Sequence, residues 1–170
     1  MLYKFLSLSL ETLVKKSTLS LFVGATLAFT SLLGCDAIKG DLSTYTKTAV
    51  PVYNSYSEKL GAKFDAAGKA SSKEEYLADT KEVIAMLDEF HGKMEAIKPE
   101  TKEVQDLHQS CITNLANMEE GSKQIVEAIE KQDETLSQSA KAKIEGAMKA
   151  DEKFRSDLKA LEDKHHVQVQ

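Results

Sequence analysis

Cys111 and His108 are the two residues whose types and spacing come nearest to nucleophilic chemistry, since they lie three positions apart in the segment LHQSCITNL. A histidine beside a thiol can accept its proton and so activate it. Cys111, however, lies at helical spacing from Leu107 and Leu115, which predicts a core position without access to a substrate or an oxyanion hole. A buried thiol is a small, inert hydrophobe. The pattern therefore predicts a structural cysteine and no enzyme.

Two acid–histidine pairs have the spacing of the Glu-x-x-His motif that binds iron in di-iron helical bundles. They are Asp88 with His91 and Glu162 with His165. Neither pair lies on a helix whose core stripe carries carboxylates, and a di-iron centre also needs a glutamate from each of two further helices. We therefore expect no metal site and no cofactor. We expect these histidines, with His108 at the edge of a stripe, to be partly exposed.

The alternatives for these side chains are the binding of haem and the binding of a divalent metal. Covalent haem attachment is excluded, because the chain has no CxxCH motif. The candidate axial ligands of a non-covalent haem are His91 or His108 with Met94 or Met118. The terminal segment DKHHVQVQ, which we predict to fray, offers adjacent histidines to Zn²⁺ or Cu²⁺.

Charge and motif content narrow the classes of function. Residues 35–170 contain 26 acidic and 19 basic residues, so their net charge is near −7, and Arg155 is the single arginine. Without a basic cluster, neither nucleic acid nor an anionic lipid surface is an expected partner. No GxSxG, HExxH, P-loop or GxGxxG motif is present. The carboxylates of NMEEGSKQIVEAIEKQDE alternate with lysines, which is typical of a solvated helix face.

The N-terminal part of the chain has the organisation of a secretory signal. Lys15 and Lys16 precede eighteen uncharged residues, STLSLFVGATLAFTSLLG, at positions 17–34. Serine, threonine and glycine dilute this run, and a membrane-spanning helix needs about 20 predominantly apolar residues. The sequence therefore predicts a cleaved signal peptide over residues 1–34. Because residues 1–13 add a second apolar patch, we also hypothesise that translation starts at Val14 instead of Met1.

The residues at the end of this signal, Leu32, Leu33, Gly34 and Cys35, resemble the lipobox of bacterial lipoproteins. The resemblance implies that a diacylated Cys35 becomes the first residue of the mature chain and anchors it to a membrane, facing the periplasm or the cell exterior. Asp36 resembles the sorting signal that retains enteric lipoproteins in the inner membrane. The alternative is an ordinary signal peptide or signal anchor in which Cys35 is incidental.

Four apolar stripes with helical period follow the signal. Their apolar members are Ile38, Leu42, Tyr45, Ala49, Val52, Tyr56, Leu60 and Phe64; Tyr76, Val83, Leu87, Phe90, Met94 and Ile97; Val104, Leu107, Cys111, Leu115, Met118, Ile125 and Ile129; and Leu136, Ala140, Ile144, Ala147, Phe154, Leu158 and Leu161. Thr80, Ser122 and Asp151 are polar interruptions of these stripes. The stripes predict amphipathic helices that must bury one face.

Helix boundaries follow from capping residues and from breaks in phase. Ser72 with Glu75 has the pattern of a capping box, and Gly68 suits a helix C-terminus. Pro51 predicts either two helices or one bent helix. The apolar phase shifts by one residue near Leu136, which predicts a turn within residues 131–139. A single helix of some sixty residues is the alternative.

These elements predict an all-α fold, an up-down-up-down four-helix bundle, with an elongated three-helix coiled coil as the alternative. The predicted units are the signal peptide (1–34), a lipidated tether (35–40), the bundle (41–166) and a frayed tail (167–170). We expect a lipid-anchored, non-catalytic interaction module whose partner is an unidentified envelope protein. The alternative is a periplasmic carrier of a small ligand, haem or a metal in the bundle interior.

Overall fold

The computed structural model describes residues 35–167, which form four α-helices and no strand. The helices are α1 (Cys35–Gly68), α2 (Lys73–Glu95), α3 (Lys102–Lys131) and α4 (Glu134–His165). The all-α prediction is confirmed. The predicted signal peptide and residues 168–170 of the predicted tail lie outside the described residues.

Consecutive helices pack against each other, α1 on α2, α2 on α3 and α3 on α4, whereas α4 meets α1 at few points. The connections 69–72, 96–101 and 132–133 are short, so neighbouring helices run antiparallel. The predicted four-helix bundle is confirmed, and the three-helix alternative is wrong because α3 and α4 are separate helices. The space between α1 and α4 is named here the α1/α4 seam.

Helix α2 follows its predicted stripe, since Tyr76, Val83, Leu87, Phe90 and Met94 are all buried. At its start, the Ser72 hydroxyl accepts a hydrogen bond from the Glu75 N–H at 3.1 Å, as the capping-box pattern predicts. The Glu75 carboxylate accepts its bond from the Ser71 N–H at 2.8 Å and not from that of Ser72.

The predicted break between the last two helices is a turn of two residues. Gln132 has a left-handed backbone with φ of 57°, which ends α3. The Asp133 carboxylate accepts a hydrogen bond from the Leu136 N–H at 2.9 Å and so caps α4. This turn brings α3 and α4 close together. A Cβ atom on Gly121 of α3 would lie 2.6 Å from Cγ1 of Ile144 on α4.

Helix α1 continues through Pro51, which agrees with the single-helix interpretation, and the proline is exposed. Residues 35–40, predicted as a tether, are helical and belong to α1. Helix α1 ends at Gly68, as expected.

The end of α4 corrects the expectation that His165 lies in a frayed tail. His165 is buried, with its Nε2 3.3 Å from Oε2 of Glu103 on α3. Lys164 also donates to this carboxylate, at 2.9 Å. The exposed His166 adopts a left-handed backbone, and the following Val167 N–H bonds to the Glu162 carbonyl at 3.0 Å. These contacts secure the last turn against α3.

Candidate functional site

A cleft of about 210 Å³ lies at the α1/α4 seam. All four helices contribute to its walls, which are mainly apolar. The apolar lining residues are Leu60 and Phe64 of α1, Phe90 of α2, Leu115 and Met118 of α3, and Met148 of α4. Ser57, Asp151 and Arg155 supply its polar lining. The cleft therefore combines an apolar interior with one polar region.

Gly61 of α1 also lines the cleft, and its lack of a side chain leaves room there. A Cβ atom at this position would meet no described atom within 4 Å. The sparse packing of α1 against α4 leaves this seam open, whereas the other neighbouring helices close on each other.

A hydrogen-bonded network spans the seam beside the cleft. The Tyr53 hydroxyl of α1 donates to Oδ1 of Asp151 on α4 at 2.5 Å and accepts from Nε of Arg155 at 2.8 Å. Nη2 of Arg155 lies 3.0 Å from Oδ2 of Asp151. Burial, and then the Asp151 charge, raise the pKa of Tyr53 above its ordinary value, so the phenol remains a proton donor at neutral pH. The network joins α1 to α4 through a neutralised ion pair.

Asp151 differs from the other two polar interruptions of the predicted stripes. Thr80 and Ser122 each donate a hydrogen bond to a carbonyl of their own helix, at 2.7 and 2.8 Å. Asp151 instead accepts from another helix. The acid–arginine pair at positions i and i+4 signals only the contact of Asp151 with Arg155 within α4. The sequence offers no such signal for Tyr53, because the predicted stripe of α1 passes through Val52 and Tyr56.

Aromatic side chains form a continuous wall next to the network. The Tyr56 and Phe90 rings stack, with centroids 5.0 Å apart and an interplanar angle of 11°. The Tyr53 ring lies 5.9 Å from Phe90 and 5.2 Å from Phe154. The Tyr56 hydroxyl donates to the Glu89 carboxylate at 2.5 Å. These ring contacts fix the position of Phe90, which lines the cleft.

Cys111 is a free thiol with 2% of its surface exposed, so the predicted burial is confirmed. Burial, with a smaller effect of the Asp151 charge, raises its pKa to about 12. The nearby His108 ring is engaged by the Tyr45 hydroxyl, 3.2 Å from Nδ1. The thiol therefore remains protonated and unactivated at neutral pH.

The prediction that His108 is partly exposed is wrong, since 8% of its surface is accessible. Its ring packs edge-on against Tyr45, with ring centroids 5.6 Å apart. Burial, and then the positive charge of Lys98, lower its pKa. Two of the haem-ligand candidates differ in setting: Met94 is fully buried, whereas Met118 lines the cleft.

His91 is partly buried, as predicted, and lies between two carboxylates. Its Nε2 is 3.7 Å from Glu95 and its Nδ1 is 3.8 Å from Glu119, so the acids face different ring nitrogens. Asp88, its expected companion, is exposed. Within residues 35–167, no three His, Cys, Asp or Glu side chains converge as ligands of one metal ion.

The predicted lipidation residue, Cys35, lies in the described part of α1, and the predicted sorting residue, Asp36, is exposed. In the described part of the chain, no helix combines the length and hydrophobicity needed to cross a bilayer. Comparisons with protein-family models, with curated protein sequences and with solved structures find no match for this chain.

Proposed function

We propose that this chain is a lipid-anchored, non-catalytic protein of the cell envelope, whose helical body is an interaction module for another envelope protein. The observation that carries the proposal is the lipobox pattern that ends at Cys35, together with a helix α1 that is continuous from Cys35 to Gly68. A lipid on Cys35 would thus join the bundle with no flexible linker, and it would orient the whole body relative to the membrane.

The contacts near Cys35 define which end of the bundle would face the membrane. Asp41 in α1 accepts hydrogen bonds from the Glu100 and Thr101 N–H groups at 3.0 and 2.7 Å. Glu103 and Lys164 join the ends of α3 and α4 beside them. The 69–72 and 132–133 connections lie at the opposite end, about 50 Å away along α1 at 1.5 Å per residue. That end would be presented to a partner.

Metabolic labelling with a palmitate analogue, followed by mass spectrometry of the N-terminal peptide, tests the anchor. We expect label on the wild type and on Cys111→Ser, and none on Cys35→Ser. Cys111 is the matched control because it is the other cysteine of the chain. An unmodified Cys35 in the wild type would refute the anchor and with it the orientation of the body.

Fractionation of the two membranes tests the sorting proposal separately, in a Gram-negative host. We expect the wild type in the inner membrane and Asp36→Ser in the outer membrane. A wild type found in the outer membrane would refute the role of Asp36 and leave the anchor intact.

Site-specific photo-crosslinking in cells tests the interaction module. The crosslinking positions are exposed residues toward the far end, one on each helix: Ala66, Ala78, Glu127 and Ser139. Lys47, exposed near the anchored end, is the comparison position. We expect a discrete protein adduct from at least one far-end position, and its loss when Cys35→Ser releases the body. A scan that gives no adduct would refute the module.

The carrier function is the second candidate, and the cleft is the observation that favours it. Its volume of about 210 Å³ exceeds the roughly 150 Å³ of an engineered apolar cavity that holds benzene. Apolar walls with a few polar groups are typical of small-molecule sites.

A further inference from the structure

We infer that the cleft at the α1/α4 seam binds a small, uncharged amphipathic molecule of about eight non-hydrogen atoms. Its apolar tail would fill the cleft, and its hydrogen-bonding head would lie at the polar lining. The inference rests on the carrier candidate above, and it adds the size and the charge of the ligand.

The size follows from the volume. Benzene, with six non-hydrogen atoms, occupies a cavity of roughly 150 Å³, so about 210 Å³ corresponds to roughly eight such atoms. Met118 and Met148 line the cleft from opposite helices of the tight α3/α4 pair. Methionine side chains are flexible and polarisable, so they can adjust to a linear or a ring-shaped tail.

The charge of the ligand follows from the polar lining. Asp151 and Arg155 already neutralise each other, and the Tyr53 hydroxyl bonds to both. A carboxylate head would meet repulsion from Asp151 as well as attraction from Arg155, and an ammonium head the reverse, so the pair offers neither ion a net counter-charge. Transfer of a charge to this region without its own counter-ion is unfavourable, whereas a hydroxyl or amide needs only hydrogen bonds.

Two groups are placed to supply those hydrogen bonds. The Ser57 hydroxyl has no hydrogen-bonding partner among the described residues, and it lines the cleft. The side chain of Arg155 is 55% exposed, and its contacts with Tyr53 and Asp151 use Nε and Nη2. Its Nη1 donors remain for an uncharged acceptor.

The lipid proposed for Cys35 is not the ligand of the cleft in the same chain. Ser57, the nearest lining residue along α1, is about 33 Å of helix from Cys35. One acyl chain spans about 15 Å, half of a hydrocarbon core of roughly 30 Å. The acyl chain therefore does not reach the cleft, and the ligand is a free molecule.

Methyl NMR of the full chain in lipid nanodiscs, with ¹³C-labelled methionine methyl groups, tests the inference. The probes are 1-octanol, octanoate and octylammonium at neutral pH, which share one tail and differ in head charge. Free probe concentrations are measured by dialysis against empty nanodiscs. We expect octanol to shift Met118 and Met148 and to leave Met86 and Met94 unchanged. We expect it to bind about tenfold more tightly than either ion.

Gly61→Leu is the blocking variant, because its side chain enters open space in the cleft and favours the helix. Gly92→Leu is the matched control, since Gly92 is also helical with no described atom near its Cβ position, and it does not line the cleft. We expect Gly61→Leu to abolish the octanol shifts and Gly92→Leu to retain them. Unchanged Met86 and Met94 resonances establish that both variants fold.

The contrary outcomes separate the inference from the functions on which it rests. Equal or tighter binding of an ion would refute the uncharged ligand and leave the carrier candidate standing. Octanol binding that survives Gly61→Leu, or that shifts Met86 or Met94 instead, would refute the location. Absence of shifts with all three probes would refute the inference. The interaction module depends on none of these results, because the crosslinking scan decides it.

Discussion

Removal of one oxygen atom from Tyr53 or from Tyr76 should have opposite effects on stability. Both tyrosines are buried, with exposed fractions of 5% and 0%. The Tyr53 hydroxyl bonds to Asp151 and Arg155, whereas that of Tyr76 has no hydrogen-bond partner among the described residues. Burial raises the pKa of Tyr76 to about 12, and the Thr80 hydroxyl lowers it by a smaller amount. The Thr80 hydroxyl donates its own proton to the Tyr76 backbone carbonyl and not to the Tyr76 hydroxyl.

The magnitudes follow from these contacts. Hydrogen bonds to charged groups contribute about 1.5–3 kcal/mol, so Tyr53→Phe should lower the free energy of unfolding by about that amount. An unsatisfied buried hydroxyl is itself unfavourable, so Tyr76→Phe should be neutral or stabilising by up to about 1 kcal/mol. The two variants should therefore differ by at least about 1.5 kcal/mol, although their side chains change identically.

Urea unfolding followed by circular dichroism, with a thermal melt as a second measurement, checks this difference. At roughly 4 °C per kcal/mol, the midpoints of the two variants should differ by about 6 °C or more. Equal midpoints would show that the Tyr53 network does not stabilise the seam. A large loss in Tyr76→Phe would show that its hydroxyl has a partner after all.

Four further predictions concern the core and its titration. Leu87→Ala should lower the free energy of unfolding by about 2–5 kcal/mol, and an unchanged urea midpoint would contradict its place in the core. Gly121→Ala should lower the free energy of unfolding by about 1–3 kcal/mol, because the added methyl group clashes with α4. Gly92→Ala, where the methyl group meets no described atom, should raise it by about 0.5–1 kcal/mol. Equal effects of the two substitutions would refute the close approach of α3 and α4 at Gly121. Cys111 should resist iodoacetamide at about pH 8 until urea unfolds the chain, because burial raises its pKa to about 12; rapid labelling of the folded chain would contradict this. Burial lowers the pKa of His108 in the folded chain, so the unfolded chain takes up this proton first as the pH falls below about 6.5. The free energy of unfolding should therefore decrease between about pH 7.5 and 5.5, and it should decrease less in His108→Gln. Equal decreases in the two proteins would refute this role of His108.

The sequence predicted the helices well because each stripe reflects one buried face. Leu87 and Phe90, inward in the most regular stripe, are almost fully buried. The turn before α4 followed from a shift of phase together with Asp133, which caps the helix. Such signals are local, so a single chain reveals them without knowledge of its neighbours.

The polar contacts between helices could not be predicted in the same way. Tyr53 lies beside the predicted stripe, and its partners are about one hundred residues away in the chain. His165 looked like part of a tail, because its burial depends on Glu103 in another helix. The rotation of each helix, and thus the partner of each polar side chain, is set by packing of the whole bundle. The cleft has the same origin, since its walls come from four helices.

The openness of the α1/α4 seam follows from how tightly α4 is held by α3. The two-residue turn and the bare backbone at Gly121 draw α4 onto α3 along their length. Helix α1 therefore makes few contacts with α4. The polar contacts beside the cleft are the hydrogen bonds of Tyr53 with Asp151 and Arg155. The same network that joins the seam also neutralises the charges at the cleft. Stability of the seam and preference for an uncharged ligand therefore depend on the same three side chains.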